Sequence, residues 1–120
     1  HGAMCSSFSG KCTISNVASG RDSNRGGCIQ SCRHNYQLSN GDSHYIMNSK
    51  DLSGLSLIPD YFKYNIDAVK IEGRMKSPLY VANAVQQYRT AIDLFDESPD
   101  RFFDEQSRLE SNLNRASNRE

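Results

Sequence analysis

The chain contains no tryptophan, only three prolines in 120 residues, and no surplus of charge, with 14 Lys and Arg against 14 Asp and Glu. Balanced charge provides no global field to draw in nucleic acid or an anionic membrane, although local patches stay open. Apolar residues make up 37%, below the usual share for a soluble domain. A chain this short and polar buries little apolar surface against the entropy of ordering its backbone. It needs a second source of stability, either a bound metal or a larger structure to which it belongs. No apolar run approaches the length of a membrane helix. His1-Gly2-Ala3-Met4-Cys5 has neither the basic start nor the apolar stretch of a secretory leader. A cytoplasmic location is expected, and a start other than Met suggests a piece of a longer chain.

What is present is unevenly distributed. Residues 1–36 are rich in Gly, Ser, Asn and Cys and read as an irregular loop with short strands at most, such as Cys12-Thr13-Ile14-Ser15. All four cysteines fall there. Residues 36–50 predict a hairpin: Tyr36-Gln37-Leu38, the turn Ser39-Asn40-Gly41-Asp42, then His44-Tyr45-Ile46-Met47. Residues 51–64 read as a helix capped by Asp51, with Leu52, Leu55, Ile58 and Phe62 near helical spacing and Pro59 limiting or kinking it. Asp67 to Glu72 alternates like a strand, with Val69 and Ile71 on one face and Lys70 and Glu72 on the other. Ser77-Pro78 announces a helix, and Val81, Val85, Tyr88, Ile92 and Phe95 form its expected core stripe. Ser98-Pro99 ends it, and a further helix over Phe102 to Asn114 should turn Phe102, Leu109 and Leu113 inward. A lone strand between helices leaves backbone edges unpaired, so partner strands are expected outside the chain.

The cysteine spacing is Cys5-x6-Cys12-x15-Cys28-x3-Cys32. Disulfides call for an oxidising compartment that nothing here indicates. Structural zinc prefers two tight pairs, which the gap between Cys5 and Cys12 fits poorly. An iron–sulfur cluster needs four thiolates and tolerates varied spacing. Glycines at 2, 10, 20, 26 and 27 let backbone approach a cluster and donate N–H groups to its sulfurs. On spacing alone, zinc, iron–sulfur and free thiols all remain open.

Several motifs carry a resemblance. They are His1 through Asn16, Gly20-Arg21-Asp22-Ser23-Asn24-Arg25-Gly26-Gly27-Cys28, Cys32-Arg33, Asn48-Ser49-Lys50-Asp51-Leu52, Val69 through Ser77 with Tyr80-Val81, Tyr88-Arg89, Ala91-Ile92-Asp93, and Leu113 through Arg119. In this order they resemble the U-32 (collagenase-like) peptidase family across essentially the whole chain. His34 departs from it, standing where relatives often have an aromatic residue.

The resemblance implies an α/β fold: the incomplete C-terminal part of a (β/α) barrel-like domain with a Cys-rich metal-binding loop. The expected parts are a Cys-rich iron–sulfur loop over 1–36, a hairpin and α/β elements completing the barrel-like domain over 37–97, and a truncated helical extension over 98–120. A full barrel takes about 250 residues, so the N-terminal barrel region must lie elsewhere in the same protein. The resemblance also implies that Cys5, Cys12, Cys28 and Cys32 hold a 4Fe–4S cluster, with zinc the alternative.

Charged residues supply the candidate substrate contacts. Lys70 and Glu72, near the C-terminal end of the predicted strand, can position an anion or move a proton if buried; a structural ion pair is the plain alternative. Arg74 and Lys76 can meet a phosphate or carboxylate, or simply occupy a solvated turn. Arg25 and Arg33, with Arg21 and Asn24 nearby, can balance a cluster's charge or grip an RNA backbone. No catalytic residue emerges.

The branch most resembled is implicated in oxygen-independent hydroxylation of transfer-RNA uridine, which implies tRNA or another RNA as partner and prephenate or a similar small anion as a partner metabolite. The alternatives are a collagenase-like peptidase acting on a peptide substrate and a structural metal module. Against a peptidase, the chain has no His-Glu-x-x-His and no Gly-x-Ser-x-Gly.

Overall fold

The computed structural model describes residues 1–8 and 11–117. Gly10 of the cysteine loop, Ser9 beside it, and Asn118 and Arg119 of the last family motif lie outside the described residues. The chain is a small mixed α/β structure, about half helical. In order it contains β1 (Gly2–Ala3), α1 (Ile14–Ser19), β2 (Tyr36–Gln37), β3 (Ser43–His44), β4 (Asp51–Leu52), α2 (Ile58–Lys63), α3 (Pro78–Glu97) and α4 (Pro99–Ser117). Single 3₁₀ turns occupy Ser23–Arg25, Ser31–Arg33 and Leu55–Leu57. Two compact units are formed: a helical unit of His1–Ala3 with Asp51–Glu120, and a cysteine unit of Met4–Lys50.

In the helical unit α3 begins where local chemistry demands. The Ser77 hydroxyl accepts the Tyr80 N–H at 3.2 Å, and Pro78 follows with its backbone already in helical range. Ser98 is extended (φ −162°, ψ 104°) and breaks α3 from α4, which starts on Pro99. Phe102, Leu109 and Leu113 are buried as expected, at 0%, 1% and 1% exposure. The expected α3 stripe is met in part, with Tyr88 buried and Ile92 and Phe95 packed against the core, but the buried face is turned at its start. Tyr80, Ala84, Gln87, Tyr88 and Ala91 are buried, whereas Val85 is 50% exposed. Ala84 and Ala91 share one core with Phe102, Leu109 and Leu113. Small side chains on one helix let its neighbour come close, and the neighbour's large side chains fill the space. Phe95 packs edge-on to Phe102 at 5.5 Å between ring centres.

Two further expectations are corrected here. Asp51 is not a helix cap: it lies in β4, paired antiparallel with β1 in the register Gly2↔Leu52 and Ala3↔Asp51. The helix starts later, with Pro59 in the first turn of α2, where its missing N–H costs nothing. The strand expected over Asp67–Glu72 reduces to one parallel bridge, Gly2↔Glu72. Among the described residues only His1–Ala3 lies alongside, with the Glu72 N–H donating to the His1 carbonyl at 2.7 Å. Gly2 is required there. Its φ is +103°, and a Cβ would stand 2.2 Å from the Glu72 carbonyl oxygen.

In the cysteine unit the hairpin forms as expected, with Tyr36 opposite His44 and Gln37 opposite Ser43. Its turn closes through Leu38 N–H to the Asp42 carbonyl at 2.7 Å, with Gly41 at φ +91°. The strand expected at Cys12–Ser15 is instead the approach to α1 and its first two residues, Ile14 and Ser15; the helix ends on Gly20 in the left-handed region at φ 66°.

Candidate functional site

The cysteines hang on a polar frame. Ser15 is fully buried; its hydroxyl accepts the Ile29 N–H at 3.2 Å, and its carbonyl accepts the Arg21 N–H at 3.3 Å. Asp22 organises the next turn. Its side chain accepts from Asn24 N–H at 2.9 Å, and its carbonyl accepts from Arg25 at 3.2 Å and Gly27 at 2.8 Å. Gly27 approaches so closely that a Cβ there would lie 2.7 Å from the Asp22 oxygen. Ser23 donates to the Cys12 carbonyl at 2.9 Å, and Tyr36 donates to the Ser31 carbonyl at 2.7 Å. Cys12 therefore sits before α1, Cys28 after the Asp22 turn, and Cys32 within the Ser31–Arg33 turn.

All four thiols are free; Cys5 is exposed and the other three are partly exposed. Two sulfurs receive backbone N–H groups: Cys5 from Ser7 at 3.5 Å and Cys28 from Gln30 at 3.3 Å. Such N–H···S bonds stabilise thiolates and tune metal–sulfur centres. In kind and number the donor set suits a metal–thiolate centre. In arrangement it is open: among the described residues no three His, Cys, Asp or Glu side chains converge on one metal position.

The flanking arginines differ in use. The Arg25 side chain is 87% exposed and pairs with Asp22 at 3.5 Å. Arg33 is engaged with backbone. Its Nη2 donates to the Met4 carbonyl at 2.6 Å, and its Nη1 donates to the Ser49 carbonyl at 3.0 Å and to Asn48 Oδ1.

In the helical unit Lys70 and Glu72 do pair, at 3.4 Å, but Lys70 is 84% exposed. Among the described residues no strand covers this segment, and the pair lies at the surface. Arg74 is exposed, with its backbone N–H 3.4 Å from Glu72 Oε1. Lys76 is drawn inward to Asp51 Oδ2 at 3.4 Å and lies 5.0 Å over the Tyr80 ring.

A connected set of side chains here escapes sequence reasoning. The Tyr88 hydroxyl accepts the buried Gly54 N–H at 2.8 Å and is hydrogen-bonded to His1 Nδ1 at 3.3 Å. The Tyr80 hydroxyl donates to Asp51 Oδ2 at 3.0 Å and is hydrogen-bonded to His1 Nε2 at 3.1 Å. The His1 ring thus bridges the two tyrosine hydroxyls through both of its nitrogens. Burial pushes the Tyr88 phenol above its usual range. His1, Asp51, Gly54, Lys76, Tyr80 and Tyr88 come from four separate stretches, and no periodicity links them.

The model of peptidase family U32 matches residues 1–120, and the chain belongs to that family. The tRNA hydroxylation protein P1 of Bacillus subtilis is 42% identical over 100% of this chain and 31% of its own length. A collagenase of Porphyromonas gingivalis is 36% identical over 79% of this chain and 25% of its own. The 23S rRNA 5-hydroxycytidine synthase of Escherichia coli is 34% identical over 81% of this chain and 16% of its own. The chain thus spans a third or less of these relatives, which carry the names of RNA-modifying and proteolytic enzymes. No solved structure matches it. Among the described residues no helix is long and apolar enough to cross a membrane.

Proposed function

We propose that the chain is the cysteine-bearing, C-terminal part of a barrel-like iron–sulfur enzyme that hydroxylates transfer-RNA uridine in the cytoplasm. The observation that carries this reading is the 42% identity to a tRNA hydroxylation protein over the whole chain. The parallel bridge between Gly2 and Glu72 is the strand relation a barrel uses, and the remaining strands would come from the rest of the protein.

In this reading Cys5, Cys12, Cys28 and Cys32 hold a 4Fe–4S cluster, with zinc the alternative metal. The donor chemistry and the N–H groups on two of the sulfurs support it. A bound cluster would supply electron transfer. The chain's own contribution is binding. In the cysteine unit exposed Arg25 presents a cation to an RNA backbone; separately, in the helical unit, exposed Lys70 and Arg74 present cations to RNA or to a small anion such as prephenate, and Lys76 with Glu72 and Asp51 limits where that anion settles. His1 has both ring nitrogens committed to tyrosine hydroxyls, which suits a fixed structural imidazole better than the free base a peptidase needs.

The test is complementation. Cells lacking the full-length protein receive the wild type or Cys28→Ala, and 5-hydroxyuridine in their tRNA is measured by mass spectrometry. Restoration by the wild type alone is expected. Unchanged tRNA in every strain, with gelatin cleavage by the purified protein, would instead support the peptidase reading that the collagenase relatives favour.

A further inference from the structure

We propose that Arg33 is a positioning residue that fixes the backbone at Cys5 to the turn carrying Cys32. The proposal rests on the reading that the four cysteines serve one inorganic centre, and it concerns how the chain holds them in place. Arg33 directly follows Cys32 within the Ser31–Arg33 turn. Its guanidinium reaches the carbonyl of Met4, the residue before Cys5, at 2.6 Å, and the Ser49 carbonyl at 3.0 Å, and it also binds Asn48 Oδ1. The Ser49 hydroxyl donates to the same Met4 carbonyl at 3.2 Å. Three stretches of backbone, at residues 4, 33 and 48–49, therefore meet at one side chain.

The other hydrogen bonds of residues 4–8 are local: Ser7 N–H to Cys5 Sγ, Ser7 hydroxyl to the Phe8 carbonyl, and Lys11 N–H to the Phe8 carbonyl. Cys5 is exposed, and among the described residues of the cysteine unit none of the buried ones is apolar. Among the described residues of the cysteine unit, Arg33 and Ser49 supply the long-range hydrogen bonds that hold this thiol's segment. Arginine suits the task because its planar fork can serve several acceptors at once, whereas a lysine ammonium is a single point. A guanidinium committed to three acceptors is a weak candidate for gripping phosphate. Arg25, exposed and paired with Asp22, is free for that role.

The experiment uses full-length protein purified without oxygen, as wild type, Arg33→Met, Arg33→Lys and Arg25→Met. Partners that orient metal ligands typically contribute about 10- to 100-fold to metal affinity. Arg33→Met should therefore bind iron about 10- to 100-fold more weakly. Arg33→Lys, keeping one contact, should retain iron but show an altered electron-paramagnetic signal on reduction. Arg25→Met should match the wild type in metal and signal. Unfolding of the helical unit should be the same in all four, which separates positioning from general damage. Wild-type iron content and signal in Arg33→Met would overturn the proposal. Wild-type protein lacking any metal would overturn the underlying reading instead. The clamp is then read in the metal-free protein by amide exchange over residues 5–8: faster exchange in Arg33→Met supports it, and equal exchange overturns it.

Discussion

The helical unit and the cysteine unit are held together by different physics. All nine buried hydrophobic residues among those described lie in the helical unit, from Leu55 to Leu113. In the cysteine unit the buried residues are Ser15 and Ser31, while Phe8 and Val17 are 84% and 86% exposed. A buried large apolar side chain contributes about 1.5–3 kcal/mol. A net hydrogen bond contributes about 0.5–1.5 kcal/mol, because water competes for it. The first unit can fold on burial. The second consists of polar contacts around four free thiols, and a metal cross-link is the ordinary means by which so small a polar segment becomes stable.

Metal removal should break the comparison most visibly. Structural metal binding can be worth about 10 kcal/mol of folding free energy. Stripping metal from the full-length protein should therefore abolish amide protection over residues 12–32 and leave it intact over α3 and α4. Persistent protection over residues 12–32 would show that the polar frame suffices alone. The opposite perturbation is Phe102→Ala, which opens a cavity at a fully buried site. It should cost about 3–5 kcal/mol. Chemical denaturation should register this in the helical unit, with the metal content unchanged.

Tyr88→Phe sharpens the contrast within the helical unit, where a polar group is buried at a cost. The Gly54 N–H and His1 Nδ1 would lose their partner, for about 1–3 kcal/mol. The pH dependence has a definite sign. The folded phenol titrates above the unfolded one because burial disfavours its charged form. Its stabilisation is fully present below the unfolded phenol's pKa of about 10 and is lost as pH rises through the higher folded value. Denaturation curves between neutral and strongly alkaline pH should show this loss in the wild type and not in Tyr88→Phe.

Sequence reasoning succeeded where neighbours along the chain decide the outcome. Ser77-Pro78 starts α3 by local capping, Asn40-Gly41 makes the hairpin turn, and Phe102, Leu109 and Leu113 share one helix face. It failed where distant segments decide. Val69 and Ile71 alternate like a strand, yet a strand needs a partner, and only Glu72 forms a bridge. Thr13 and Ile14 favour extended backbone, but Gly20 and the Thr13 carbonyl, bound by the Val17 N–H at 3.0 Å, favour a helix. The four thiols were legible as a set by residue type. The chain Tyr88–His1–Tyr80–Asp51 was not, since it joins residues up to 87 positions apart through hydrogen bonds that follow no period.

The smallest expected effect is also the most pointed. Val17 lies in α1, the one helix of the cysteine unit among the described residues, and is 86% exposed. In a unit held by burial, replacing an apolar helix residue with a polar one is costly. Here Val17→Ser should change stability by no more than about 0.5 kcal/mol, the range of surface substitutions. The helix propensities of Val and Ser are nearly equal, so the backbone adds little either way. Metal content and amide protection over residues 12–32 should not move. A loss above that range would mean that Val17 is covered in the full-length protein, and the cysteine unit would then owe part of its stability to apolar burial after all.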